Sequence, residues 1–168
     1  GTQTNRVLPV QVASSVSRFE AGTEFLLYEK TDGTVWTLGK NGSGRLGSDP
    51  LLINSPVTAI DANVSSMDGG GAHSIVIKSN GSLWTFGKNY YGALGDGSST
   101  SRSIPFQVLE ANVTQASAGS NHTHFVKEDG TLWAMGYNES GRLGNGGTAT
   151  QRSPVLIVDG NVSMVASG

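Results

Sequence analysis

Apolar and polar residues alternate along this chain in short runs, each closed by Gly, Asn or Asp, the pattern of half-buried strands joined by tight turns. In the middle third, Val64 to Asp68 predicts one strand, and the glycine run Gly69-Gly70-Gly71 leads into a second, His73 to Lys78. Asn80-Gly81 then reads as a two-residue hairpin of type I′, which needs positive φ at both central positions. The return strand runs from Ser82 to Gly87 around Trp84. Ile104-Pro105-Phe106-Gln107-Val108 predicts an outer strand whose proline suits a sheet edge. No stretch carries helical periodicity with caps, so the expected class is all-β.

That pattern is written three times. Asp32-Gly33-Thr34-Val35-Trp36 returns as Asn80-Gly81-Ser82-Leu83-Trp84 and as Asp129-Gly130-Thr131-Leu132-Trp133, with the tryptophans 48 and 49 residues apart. Gly39, Gly87 and Gly136 end the tryptophan strand in each copy, and a Gly-x-Leu-Gly follows that closes on Gly47, Gly95 and Gly144. A period near fifty, with four short strands per copy, predicts radially repeated sheets. Leu8 to Val12 matches the outer segment 104–108, and Asn161 to Gly168 matches Asn112 to Gly119. The expected architecture is therefore a partial β-propeller of about three four-stranded blades plus one orphan strand at each end. Residues 1–168 form a single segment, with repeats at approximately 22–69, 70–118 and 119–167 and residues 1–21 as the tail of a preceding repeat.

Composition narrows the function more than the fold. The 168 residues include 24 glycines, about twice the usual ~7 % share, and their regular spacing speaks for turns rather than disorder. A net charge of −2 provides no field for nucleic acid. There is no cysteine, which excludes disulfides, thiolate metal sites and cysteine nucleophiles. No apolar run approaches the ~20 residues of a membrane span.

The quoted motifs resemble the regulator-of-chromosome-condensation repeat family: Ala118-Gly119, His122, Asp129-Gly130-Thr131-Leu132-Trp133, Gly136-Tyr137-Asn138, Gly141-Arg142-Leu143-Gly144 and Pro154-Val155. The resemblance covers essentially the whole chain. Two departures stand in the first copy: Phe25 replaces His73 and His122, and the loop Ser48 to Ile53 lacks the arginine found at Arg102 and Arg152. The resemblance implies a seven-bladed ring of ~340 residues, so the expectation is a fragment of a longer propeller, ahead of a chain that self-associates to complete one.

The chemistry-bearing residues mostly have structural explanations. Trp36, Trp84 and Trp133 are expected in the core. Of the three histidines, His124 is the one the repeat does not explain. His122 and His124 share a strand face but have no third ligand at motif spacing, so no metal is expected. The glycine loops lack the ending of a phosphate loop, and no nucleophile–base arrangement stands out, so neither catalytic residues nor cofactors are expected. Asn41, Asn80 and Asn138, each within an Asn-x-Ser/Thr triplet, are read as turn residues that tolerate positive φ. What differs between copies is the loop tip: Gly42-Ser43, Tyr90-Tyr91 and Glu139-Ser140. Tyrosine is enriched in binding hot spots, so Tyr90 and Tyr91 are the first contact candidates, followed by Glu24, Arg102 and Asn121.

These readings point to a non-enzymatic protein-interaction module that displays variable loops on a rigid scaffold. It would take a protein partner, or a second copy at its open blade edges, and neither nucleic acid nor membrane. The resemblance implies two alternatives: a guanine-nucleotide exchange factor for a small GTPase, and an inhibitor of a secreted enzyme. The Ser/Thr/Asn-rich, lysine-poor composition leans towards a bacterial exported or cell-surface source.

Overall fold

The computed structural model describes residues 7–48 and 56–168, and every regular element within them is a β-strand. The first sheet holds β1 (Val16–Gly22), β2 (Phe25–Lys30), β3 (Val35–Gly39) and β4 (Val57–Ile60). The second holds β5 (Val64–Gly69), β6 (His73–Lys78), β7 (Leu83–Gly87) and β8 (Arg102–Leu109). The third holds β9 (Val113–Ala118), β10 (His122–Lys127), β11 (Leu132–Gly136) and β12 (Gln151–Val158). Each sheet is antiparallel with its strands in chain order. Successive first strands pack together, β1 with β5 and β5 with β9, as blades around a propeller axis must.

The alternation seen in the sequence places the core between blades. Phe25, Leu27, Val35 and Leu46 of the first blade bury against Val64, Met67, Val76 and Phe86 of the second. Ile77 and Leu83 of the second do the same with Val113, Phe125 and Met135 of the third. Burial of each large side chain contributes about 1.5–3 kcal/mol, so a blade draws much of its stability from its neighbour.

Polar links join the blades as well. Asp68 accepts hydrogen bonds from the Ala118 amide (2.9 Å) and the Ser117 hydroxyl (3.1 Å). The Val113 amide donates to the Gly81 carbonyl at 3.0 Å. Residues 161–168 form no ladder, having no sheet of their own, yet they repeat these links one blade on. Val162 donates to the Gly130 carbonyl and the Ser167 amide to the Ser117 hydroxyl, both at 3.0 Å. The segment thus occupies the first-strand position beside the third blade. Residues 8–12, expected as an outer strand, carry no strand. Most of the first blade's distal loop, 49–53, lies outside the described residues.

The hairpins correct the expected type I′ turn. Gly81 has φ 76°, but Asn80 does not enter the left-handed region. The Gly81 amide bonds the Lys78 carbonyl (2.8 Å), and the Lys78 amide bonds the Ser82 carbonyl (3.0 Å). This is a three-residue loop, a type I turn followed by a left-handed glycine, repeated at Gly33 and Gly130. The side chain at the loop's second position explains the choice. The Trp84 indole donates to the Ser82 hydroxyl (2.9 Å), which donates to Asn80 Oδ1 (2.7 Å). Asp32-Thr34-Trp36 and Asp129-Thr131-Trp133 form the same relay. The tryptophans are half-buried rather than enclosed: Trp84 and Trp133 lean on the two cores. Lys30, Lys78 and Lys127 lie over the three rings at 3.9, 5.0 and 4.2 Å.

Candidate protein-interaction face

The corners between each blade's first and second strands, and the loops between its third and fourth, emerge at one end of the sheets. The hairpins emerge at the other. Tyr90, Tyr91, Glu24, Arg102 and Asn121 all fall at the loop end.

A buried asparagine holds each loop. Asn89, at 0 % exposure, accepts from the Leu94 amide (3.0 Å) and donates to Asp96 Oδ1 (2.9 Å) and the Ser98 carbonyl (3.2 Å). Asn41 and Asn138 make the same reach to Leu46 and Leu143. These asparagines clamp the loop through both ends of the amide, and neither Asn41, Asn80 nor Asn138 has positive φ, contrary to the reading from sequence. The left-handed asparagines are Asn63, Asn112 and Asn161, at φ 74°, 70° and 64°. Ser65 and Thr114, two residues after the first two of these, bond carbonyls of the next strand, so these Asn-x-Ser/Thr triplets have a structural cause. The loop also passes close beneath the next blade: the Gly97 amide bonds the Arg152 carbonyl at 2.9 Å.

On this frame the five residues have different surroundings. Arg102 is held inside its own blade, ion-paired with Asp96 and stacked over Phe106 at 4.4 Å. Burial works to raise the Asp96 carboxyl, but hydrogen bonds from Ser98, Arg102 and Asn89 outweigh it and hold the group below the usual range. Glu24 pairs with Lys40 at 2.8 Å, and that hydrogen bond lowers its pKa. Asn121 gives its carbonyl to the Tyr137 amide at 2.9 Å. Tyr91 packs on Tyr137 of the third blade, ring centroids 4.5 Å apart. Tyr90 projects, 63 % exposed, with Lys88 over its ring at 5.2 Å. The structure therefore brings Tyr91 and Asn121 to Tyr137, leaves Tyr90 projecting with Lys88 over its ring, and holds Glu24 and Arg102 in separate ion pairs.

Sequence reasoning missed Tyr137, Lys88 and Arg142, which lies over Tyr137 at 4.6 Å. Tyr137 had a signal, because it replaces the lysine found at Lys40 and Lys88. Arg142 was hidden inside the shared Gly-x-Leu-Gly.

The histidines belong to blade packing. Thr123 gives its hydroxyl proton to the Ala93 carbonyl (2.9 Å), so it accepts from His73 Nε2 at 2.9 Å. Burial, then the nearby His122, pushes the His73 pKa down to about 4. His122 falls to about 4 through burial and the charges of His124 and Arg142. Burial also lowers His124, whose Nδ1 meets the Ser167 hydroxyl at 3.0 Å, while the Leu143 backbone beside it acts in the opposite sense. Ala134 stands where Thr37 and Thr85 bond the corresponding loop carbonyls, of Leu46 and Leu94; His124 takes the vacant position beside Leu143. Among the described residues no group of three or more His, Asp or Glu is placed to hold a metal ion.

Residues 80–126 and 129–168 match the regulator of chromosome condensation (RCC1) repeat, and residues 64–93 and 113–142 match a second form of that repeat. No curated protein matches by sequence. Among solved structures, human WBSCR16 superimposes with a TM-score of 0.74 at 23 % identity, over 88 % of this chain and 41 % of its own. Yeast RCC1 (Prp20), in a crystal structure of Kap60 bound to it, gives 0.78 at 20 % identity, over 91 % and 39 %. The chain thus spans about two fifths of the length of these propellers. Repeats matching over more than half the sequence, in a chain folded as four-stranded sheets, lead to one assignment: this chain belongs to the regulator of chromosome condensation (RCC1) repeat family.

Proposed function

We propose that this chain is a non-enzymatic protein-interaction module that presents its long-loop end to a protein partner. The observation that carries the reading is Tyr90, a large aromatic side chain 63 % exposed at the tip of a loop whose base is locked by a buried asparagine. A rigid loop loses little conformational entropy on binding, and function concentrates in loops on fixed scaffolds. The neighbouring structures lend support of a general kind: one shows Kap60 bound to yeast RCC1, and another concerns the binding of Prp20p to Gsp1p and histones. Family membership favours a protein partner here too.

Photo-crosslinking tests the reading. With benzoylphenylalanine in place of Tyr90, a defined partner band is expected, and none from Asn80 at the hairpin end. Equal labelling from both positions, or from neither, would sink the proposal. Nucleotide exchange on a small GTPase is the rival reading, favoured by the family alone. A binding module leaves the release rate of a fluorescent guanine nucleotide unchanged.

A further inference from the structure

We infer that Asn63 and Asn112 are acceptors for an N-linked oligosaccharide, attached by a transferase that also reads an acid two residues before the asparagine. Three Asn-x-Ser/Thr triplets of this chain follow such a carboxylate: Asp61-Ala62-Asn63-Val64-Ser65, Glu110-Ala111-Asn112-Val113-Thr114 and Asp159-Gly160-Asn161-Val162-Ser163. The other four have Gly39, Lys78, Gly119 and Gly136 in that place. Turn geometry accounts for only part of this pattern. Asn63 and Asn112 are left-handed, and the Ser65 and Thr114 hydroxyls donate to the Ile77 and Val126 carbonyls at 3.1 and 3.2 Å. In the first blade the same turn is Ala13-Ser14-Ser15-Val16-Ser17. There Ser15 has φ 57°, and the Ser17 hydroxyl donates to the Glu29 carbonyl at 3.1 Å. Backbone and hydroxyl are thus satisfied with neither asparagine nor acid. Asp61 and Glu110 are exposed, and among the described residues their side chains enter no ion pair or hydrogen bond. The fold gives these acids no task.

Their placement suits a surface sugar. The Asn63 carbonyl accepts from the Ser79 amide (2.8 Å) and the Asn112 carbonyl from the Glu128 amide (2.9 Å), which sets both at the hairpin end, opposite Tyr90. Gly33 of the first blade and Gly81 of the second lie against the two turns, so each asparagine is exposed with a blade present on either side. Neither side chain makes a hydrogen bond among the described residues. Asn41 and Asn138 differ: they are 2 % and 0 % exposed, and their amide nitrogens donate within the loop clamp, where a sugar would break it. The reaction takes a lipid diphosphate-linked oligosaccharide as co-substrate. Asparagine Nδ2 attacks the anomeric carbon, the C–N bond replaces the C–O bond to the diphosphate, the lipid diphosphate leaves, and one amide proton passes to a base of the transferase. The acid offers that enzyme a charge-assisted contact. Folding occupies the triplet's hydroxyl, which the enzyme must also reach, so transfer precedes folding of the strand.

Peptide mapping by mass spectrometry of the chain from its own host is the first test. Sugar is expected on Asn63 and Asn112, and none on Asn41, Asn80, Asn121 or Asn138. The second test is a reconstituted reaction with the full chain, a transferase of this specificity and its lipid-linked oligosaccharide. Asp61→Asn and Glu110→Gln should each lower occupancy of the asparagine that follows about tenfold, as loss of one charged hydrogen bond implies. Chain folded before the enzyme is added should be modified far less than chain presented unfolded. Once modified and folded, it should melt within about 2 °C of the bare chain, since the added group lies at the surface. Bare Asn63 and Asn112 in the host, equal occupancy of Asn80, or indifference to both acid substitutions would overturn the inference. So would equal modification of the prefolded chain.

Discussion

His73 shows how one side chain can set a condition on a whole interface. Its imidazole is buried between the second and third blades, donating to Thr123, and its pKa falls from 6.5 to about 4. As pH drops from 6.5 towards 4, the unfolded chain takes up a proton that the folded one refuses, so stability declines through that window and levels off below it. His122 adds to the same window, whereas the hydrogen-bonded Asp96 titrates below the usual carboxylate range. The melting temperature is expected to fall between pH 6.5 and about 4, less steeply in His73→Phe. That variant copies the first blade's Phe25 and leaves Thr123 bonded to Ala93. A flat profile, or identical slopes in both proteins, would refute this. At this scale the sequence marked His73 and His122 as structural. It could not show why, because the Thr123 partner lies fifty residues away and becomes visible only once blades face each other. His124 likewise has its reason in Ala134, a missing hydroxyl across the sheet.

Strands and hairpin positions were legible from alternation and from Gly punctuation, since both are local. The turn type was not. Asn-Gly suggested a two-residue loop, but the hydroxyl of Ser82 or its threonine counterparts, linking Asn or Asp to the tryptophan indole, favours a three-residue loop with only the glycine left-handed. The long loops yielded least, because their shape depends on one buried amide reaching forward five residues to the Leu94 amide and seven to nine residues to Asp96 and Ser98. Asn89→Ala should therefore cost about 2–3 kcal/mol, since it leaves the buried Leu94 amide without an acceptor. Urea unfolding measures the loss. A change below about 0.5 kcal/mol would mean that the Gly-x-Leu-Gly turn holds itself.

For the molecule as a whole, the repeat period gave the blade count, while the matching of its outer faces needed coordinates. Ser74 and Thr123 each cap a loop carbonyl of the preceding blade, at Arg45 and Ala93. In the first blade that position is Leu26. It lies with Phe19 and Tyr28 along an open hollow of about 290 Å³ that residues 10–13 also line. A second copy docked head to tail would set Leu26 against His122 and the Arg142 carbonyl, leaving both unpaired. Light scattering is expected to give the mass of one chain, and a closed dimer would show that the faces repack. One last consequence follows from the cross-blade bonds, which join residues about fifty apart: His73 to Thr123, Asp68 to Ala118, Ser117 to Ser167. On the ribosome, a blade whose four strands have emerged still lacks these partners until the opening strands of the next repeat follow. Synthesis therefore completes each blade one repeat late, and a pause within a repeat exposes the apolar flank of the blade before it.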